Sequence, residues 1–368
     1  MWGGFAAYLG VLAAAPALGH RVVWAAIVLL VAGFALAPVL LSHDVYSYVD
    51  YARLSVRHGL DPYVHPPLAA PADPAFADVT WTGATSAYGP LFTLATYPLA
   101  WLPVAVAVAV LKAVAALSVL GLAFVVSRLA AGRGTEPLRA AAFVALNPLV
   151  LVHVVGGAHN DGLTMLLAML GVAAILGARE ATGGAALVAA AATKASALFL
   201  TPFALVASAK SQPTGLKRPY MEENRPVGRL LAGALLAAAV ICGAAYLGFG
   251  WDWLHALGLA GKNQSRTSHL SIPTTLSRLI GLAPTPIRFA ALTLYAVLVI
   301  YLLHKTWRGT DWLRTSAWAA FALLLATSWL LPWYLIWPLP LVAISRDRTL
   351  QLLTLALTAY QLGARIPL

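Results

Sequence analysis

The chain has 368 residues, of which 61% are apolar and only 10% charged. A soluble domain carries about 25% charged residues, and several apolar runs here reach the roughly 20 residues that cross a bilayer as helix. Composition therefore excludes a soluble enzyme and predicts an all-α polytopic membrane protein. The runs do not alternate, which excludes a β-barrel. The formal charge of +11 is not a nucleic-acid signal, because Arg and Lys cluster in short loops, as membrane orientation requires. The single cysteine, Cys242, lies in an apolar run, so neither a disulfide framework nor a thiolate metal site is expected.

Residues 2–18 and 22–41 predict two membrane helices separated by Arg21. No basic region precedes the first, so it reads as a helix rather than a signal peptide. With Arg21 inside, Ser42-His43-Asp44-Val45-Tyr46-Ser47-Tyr48 emerges on the outer side. The long polar loop over 42–90 is then extracytoplasmic. Within it, 46–58 predicts an amphipathic helix on the membrane surface, and 66–78, rich in Pro, Ala and Asp, predicts loop. Arg128, Arg133 and Arg139 belong inside, so the chain crosses an odd number of times between Gly89 and Arg128. A surface or re-entrant helix over 91–102, ended by Pro103, with one crossing over 108–126 meets that condition. Lys112 reads as a snorkelling side chain.

Residues 140–156 return outward and deliver Gly157-Ala158-His159-Asn160-Asp161 to the side of Asp44. The segment 163–178 goes back in. Residues 183–209 lie between basic flanks, which predicts a tight hairpin of short, broken helices with Thr193-Lys194 at its turn. Non-helical backbone at that depth is tolerated only against protein or a wet cavity. A cytoplasmic loop follows over 209–229, then an outward helix over 230–248. A second external loop over 249–286 carries Lys262, Arg266 and Arg278, cations whose outer position departs from the orientation rule; lipid headgroups account for Arg278. Crossings over 289–303, 317–330, 335–344 and 353–366 complete about twelve, with Pro332-Trp333-Tyr334 outside. The chain reads as one domain, 1–368.

Parity thus collects Asp44, Asp161, His159 with its neighbour Asn160, Lys194, Lys262, Arg266 and Arg278 on one side, with the aromatics Tyr46, Tyr48, Tyr88, Trp333 and Tyr334. This set suits glycosyl transfer from a lipid phosphate. A carboxylate (Asp44 or Asp161) takes the proton of an attacking hydroxyl. Cations (Lys194, Lys262, Arg266) balance the charge growing on a leaving phosphate. Aromatic faces hold sugar rings. Each residue also has a plainer reading. His159-Asn160-Asp161 would serve as a helix N-cap, Lys194 as a snorkelling side chain, and Trp333 and Tyr334 as an interfacial aromatic belt. The lone histidines show no metal-ligand spacing, so no metal and no cofactor are expected; a divalent cation at the phosphate is left as an option. A transporter would need ionisable residues near the bilayer midplane, whereas these sit at helix ends.

Six segments in order resemble one family: Asp44-Val45-Tyr46-Ser47-Tyr48 with Gly59-Leu60-Asp61-Pro62-Tyr63; Tyr88-Gly89-Pro90-Leu91-Phe92; Asn147-Pro148 followed by Gly157-Ala158-His159-Asn160-Asp161; Lys194 after a small-residue run; Ile272-Pro273-Thr274; and Pro332-Trp333-Tyr334-Leu335-Ile336-Trp337. The pattern is similar to the polyprenol-phosphate-mannose-dependent α-1,6-mannosyltransferases of actinobacteria, of the GT-C class. Leu331 stands where members of that family often carry His or Gln. The resemblance implies inverting transfer of mannose from polyprenyl phosphate mannose to an α-1,6 mannan on a glycolipid. It further implies Asp44 as the external-loop base, membrane lipids as surroundings and a plasma-membrane site facing outward. Another polyprenyl-phosphate sugar, a pentose or aminosugar, is the alternative donor.

Overall fold

The computed structural model describes residues 2–210, 226–263 and 265–363. Most of the expected loop over 209–229, together with Gln264 and the end of the last expected crossing, lies outside the described residues. Among those described, no strand forms. Four helices are long and apolar enough to cross a membrane: α1 (Trp2–Leu36), α4 (Val104–Gly132), α9 (Pro226–Phe249) and α12 (Pro284–Trp307). Other apolar segments, where the sequence expects further crossings, are shorter helices of 10–17 residues such as Ala195–Ala209 and Pro332–Ile344.

The two crossings expected over 2–18 and 22–41 are joined as α1, which is broken at Gly19 (φ 76, ψ 165). Its halves run in opposite directions. Tyr8 Oη donates to Phe143 O (2.8 Å) and Arg139 Nε to Leu12 O (2.9 Å), on α5 (Pro137–Ala145). Leu40 N, past the other end of α1, donates to Gly156 O (3.1 Å). Only a reversal at Gly19 reconciles these contacts, and a left-handed φ there is open to glycine without strain. Lys112 does not snorkel. It is 5% exposed, and its Nζ donates to Ala37 O and to Pro38 O (3.0 Å), carbonyls left without helical partners where α1 ends.

The 42–90 loop folds around α2 (Asp44–His58), which ends in a left-handed Gly59 (φ 65). The expectation of a helix lying on the membrane surface needs correction, because all residues from Ser47 to Leu54 are buried in protein. Arg53 donates to Asp73 Oδ1 (2.7 Å) and to Ala100 O (3.0 Å), and His58 Nε2 lies 2.8 Å from Asp73 Oδ2. Asp73 thereby gathers the 66–78 stretch, which forms the short turns Pro67–Ala69 and Phe76–Asp78, onto α2. The helix expected over 91–102 is α3 (Pro90–Thr96) followed by the turn Tyr97–Trp101. A second hydrophobic cluster joins Val45, Tyr48 and Val49 of α2 to Phe92 of α3 and Val108 and Leu111 of α4. The main core is formed by α1, α4, α5, the two hairpin helices α6 (Asp161–Leu176) and α7 (Glu180–Thr193), and helices near the C-terminus.

Further along lie α8 (Thr201–Ala209), α10 (His255–Asn263), α11 (Ile272–Ile280), α13 (Trp312–Ala326), α14 (Leu339–Ile344) and α15 (Arg348–Gly363). At the end of the bundle away from Asp44, Arg133 pairs with Asp311 and its Nε donates to Ile344 O (3.1 Å). That contact brings the starts of α5 and α13 and the end of α14 to one level.

Asp50 is 1% exposed on α2, and neither carboxyl oxygen has a hydrogen-bond partner. Burial, reinforced by the nearby Asp73 carboxylate and only partly offset by His58 and Arg53, pushes it up to about 7. A raised native value means that the folded state binds the proton more tightly than the unfolded chain. Its stabilising contribution is complete below about pH 4 and lost as pH rises to about 7. The Asp50→Asn variant should match wild type in thermal unfolding at pH 4 and melt several degrees higher at pH 8. Parallel curves at both pH values would remove this account.

Candidate active site

Three turns meet at one end of the bundle. The first is the start of α2, where Asp44 occupies the first helical position, its backbone N–H 3.4 Å from Ser42 Oγ. The second lies between α5 and α6. Here Asn147-Pro148 interrupts the helix, with Asn147 Oδ1 accepting from Leu149 N (3.0 Å). The π-helical turn Val150–Val155 follows, and Ala158 takes a left-handed φ of 54 before α6 begins at Asp161. A non-glycine residue in that region costs about 1 kcal/mol or more, and π-turns and such strained residues concentrate at functional sites. The third is the break after α7, where Lys194 is extended (φ −156, ψ 125) before the 3₁₀ turn Ala195–Leu200.

The break puts Lys194 Nζ 2.7 Å from Asp161 Oδ2, while Trp337 Nε1 donates to Asp161 Oδ1 at 2.7 Å. Asp161 is wholly buried and the Lys194 side chain 17% exposed. The plainer readings of both residues fail on this geometry. Asp161 does not cap its helix with its side chain, Asn160 makes no capping bond, and Lys194 reaches inward to a carboxylate instead of out to an interface. Gly89 donates its N–H to Thr193 O (3.1 Å), and a Cβ on Gly89 would lie 2.0 Å from Ala192 O. The Tyr88-Gly89-Pro90 segment can therefore reach the end of α7 only with glycine in the middle.

Above this pair lies a cavity of about 330 Å³. Asp44, Lys194, Tyr88, Arg266, Trp333 and Tyr334 all line it, as the sequence expects of them. Tyr334 stacks on Trp337 (4.1 Å, 21°), and Lys194 Nζ stands 5.5 Å from the Tyr334 ring. Arg266 lies over Trp81 (4.8 Å) and Trp329 (5.2 Å). The two rings give the guanidinium cation–π partners at the cavity wall.

The remaining expected residues are placed differently. Asp161 sits behind Lys194 and Trp337 and does not line the cavity. His159 is also buried, stacked on Trp333 (3.7 Å, 19°), with Nδ1 3.7 Å from Asp44 Oδ2. Burial first, then the Lys194 charge, holds its imidazole well below the ordinary value, so it faces Asp44 as a neutral ring. Asn160 is buried beside it. Tyr48 turns to the core, edge-on to Tyr88 (4.7 Å) and Phe92 (5.0 Å). Tyr46 packs on His43 (5.4 Å) away from the cavity. On α2 the cavity face is Asp44, Ser47 and Tyr51, spaced as one helical stripe, and Tyr46 lies off it. Lys262 is exposed on α10 and does not line the cavity. Arg278 donates to His269 O (2.8 Å) and so has a protein partner.

Sequence reasoning missed three tryptophans. Trp81 Nε1 donates to Asp44 Oδ1 at 3.1 Å, Trp337 holds Asp161, and Trp329 forms the cavity wall edge-on to Trp81 (6.1 Å). Trp337 ends the segment that carries the family resemblance, where it has no assigned role, and Trp329 stands just before that segment. Trp81, in a stretch that composition marks only as loop, carried no signal.

Desolvation raises the Asp44 carboxyl above its usual range, and the Lys194 charge and the Trp81 hydrogen bond only partly offset this. A partly buried carboxylate facing a lysine across an aromatic cavity can accept a proton from a bound hydroxyl while the cation balances a developing anion. The α-(1→6)-mannopyranosyltransferase N-terminal-domain family model matches residues 2–210, and the chain belongs to that family. It is 31% identical over 336 residues to α-(1→6)-mannopyranosyltransferase A of Mycobacterium tuberculosis, covering 84% of this chain and 63% of the relative. To the enzyme of the same name from Corynebacterium glutamicum it is 26% identical over 265 residues, covering 66% of this chain and 52% of the relative. The chain thus spans between half and two thirds of the length of these relatives. No solved structure matches it.

The buried pair makes a stability prediction. Asp161→Asn leaves the Lys194 ammonium without its counter-ion and should cost about 3–5 kcal/mol. Adding Lys194→Met to Asp161→Asn should recover most of the loss. Thermal unfolding of the detergent-solubilised variants tests this, and additive losses in the double variant would contradict it.

Proposed function

We propose that this chain is a membrane mannosyltransferase that moves mannose from polyprenyl phosphate mannose to an α-1,6 mannan-type glycolipid acceptor, with inversion. The observation that carries the reading is the sharing of one aromatic-walled cavity by Asp44 and Lys194. The names of the relatives supply the sugar and the linkage. A lipid-carried donor accords with the helices that fit a membrane-embedded protein.

In this reading the Asp44 carboxylate takes the proton of the acceptor hydroxyl as its oxygen attacks the anomeric carbon. The bond from that carbon to the phosphate oxygen breaks on the opposite face, so the configuration inverts. The electron pair leaves with the polyprenyl phosphate, whose growing charge is balanced by Lys194 and, at the mouth, Arg266. Lys262, exposed on α10 and not lining the cavity, is given no part in this reading. Trp333, Tyr334 and Tyr88 offer faces to the two sugars. His159 backs the Trp333 wall, and Asn160 is buried next to it in the chain. Asp161 contributes through Lys194, which it holds in place, and is a positioning residue rather than a second base.

Orientation follows the same logic. Arg139 and Arg348 share a cleft at the far end of the bundle, where Arg133 also lies. By the positive-inside rule that end is cytoplasmic and the cavity extracytoplasmic. This is the arrangement expected of a plasma-membrane enzyme with about twelve passes.

Purified protein given polyprenyl phosphate mannose and a short α-mannoside should form product. Asp44→Asn should lower kcat by about 100- to 10,000-fold with KM for the donor little changed. Transfer by the variant at the wild-type rate would remove Asp44 as the base. No transfer by folded wild type, but transfer from a pentose or aminosugar lipid phosphate, would change the donor. Because burial raises Asp44, the acidic limb of kcat should fall above the ordinary carboxylate range. Trp81→Phe removes a hydrogen bond that lowers it and should move that limb to still higher pH; a limb that stays put would exclude Asp44 as the titrating group.

A further inference from the structure

A second crevice, of about 490 Å³, lies between α12 and α13. It is far from the catalytic cavity. Its α13 residues are Arg314, Thr315 and Trp318, near the start of that helix, whereas Leu323 and Thr327 at the other end reach the cavity. Helical rise puts the two openings on the order of 15 Å apart along α13.

Its chemistry changes along its length. Leu298, Tyr301 and Trp318 form apolar walls, and Lys305, Thr310 and Arg314 stand together at one end. The walls continue into the outer face of α12, where Leu294, Val297 and Ile300 are 70%, 59% and 68% exposed. For a helix of 24 residues long enough to cross a membrane, that face is apolar surface suited to lipid. The charged end is built rather than loose. Asp347 Oδ2 accepts from both Arg314 Nε (2.8 Å) and Trp318 Nε1 (2.9 Å), which sets the guanidinium beside the indole. Lys305 adds a positive charge that no carboxylate among the described residues neutralises. Lys210 lies nearby, over the Trp307 ring (3.7 Å).

An apolar slot open to the hydrocarbon and closed by Lys305 and the Asp347-paired Arg314, a net positive end, complements the shape and charge of an anionic lipid: chain along the wall, phosphate at the end. Basic pockets between membrane helices bind such headgroups. We infer that the α12–α13 crevice binds one anionic membrane phospholipid, its phosphate held by Lys305 and Arg314 and an acyl chain lying along Leu298, Tyr301 and Trp318. The site rests on the membrane-embedded reading but not on the reaction, since it touches none of the residues placed in the cavity.

The test is native mass spectrometry of the purified chain, exchanged in micelles containing phosphatidylcholine and phosphatidylglycerol. Wild type should retain one phosphatidylglycerol in preference to phosphatidylcholine. Lys305→Gln, at an exposed position that leaves packing alone, should cut that retention about five-fold. Leu298→Trp should abolish it by filling the slot with both cations intact. Arg308→Gln, a neighbouring exposed cation outside the crevice, should leave it unchanged. Retention unaffected by both Lys305→Gln and Leu298→Trp would overturn the site, and so would an equal loss in Arg308→Gln, which would mean diffuse surface charge. Melting curves of each variant keep unfolding from being read as lost binding. The readout does not depend on turnover, so a failed transfer assay leaves it standing and a failed lipid assay leaves the transfer reading standing.

Discussion

The buried contact of Asp161 with Lys194 and Trp337 is the constraint on which the site depends. Two opposite charges removed from water cost several kcal/mol each unless they meet at good geometry and their remaining polar atoms are satisfied. Here one carboxylate oxygen takes the ammonium and the other takes the indole N–H, both at 2.7 Å. Satisfying that carboxylate ties together the start of α6, the break after α7 and the turn that carries Trp333 and Tyr334. None of these can move without exposing or orphaning a buried charge. A break in a helix costs hydrogen bonds; this one is offset because the freed chain delivers Lys194 to a partner.

Asp44 is held by a weaker arrangement. It is partly exposed to the cavity and accepts from Trp81, with the Ser42 hydroxyl as a further partner, while the neutral ring of His159 stands beside it without the charge that would stabilise a carboxylate. The two acids of one site are thus pushed apart in character. Asp161 is locked to its partner, while Asp44 is left desolvated and free to exchange a proton. In the proposed reaction that separation would leave one carboxylate to organise the cation and the other to act on the substrate. It depends on α2 being set into the protein by Arg53, Asp73 and His58, since a helix lying loosely on a membrane would not hold Asp44 against Trp81.

Much of this was legible in the chain. Orientation parity placed Asp44, His159, Asp161 and Lys194 on one side, because hydropathy and basic clusters constrain which ends of helices share a surface. The break at Lys194 followed from a span too short for the crossings its flanks required, and the short helix before Pro103 from the odd number of crossings that parity allowed. Side-chain direction within those turns did not follow. Tyr48 and Tyr88 stand in similar aromatic segments, yet only Tyr88 reaches the cavity. Lys262 and Arg266 lie four residues apart in one basic run, and only Arg266 finds the two indoles.

The sequence by itself determined the class of the protein and which helix ends share a surface, since both depend on counts that survive without geometry: apolar length, proline and glycine positions, and the distribution of Arg and Lys. Tertiary structure alone decided which carboxylate faces the cavity and which is the counter-ion. It also decided that Trp81 and Trp337 hold them, and that Lys112 closes the end of α1. Each of these is a contact between segments far apart in the chain, formed within about 3 Å, and no local pattern encodes a distance between two such segments.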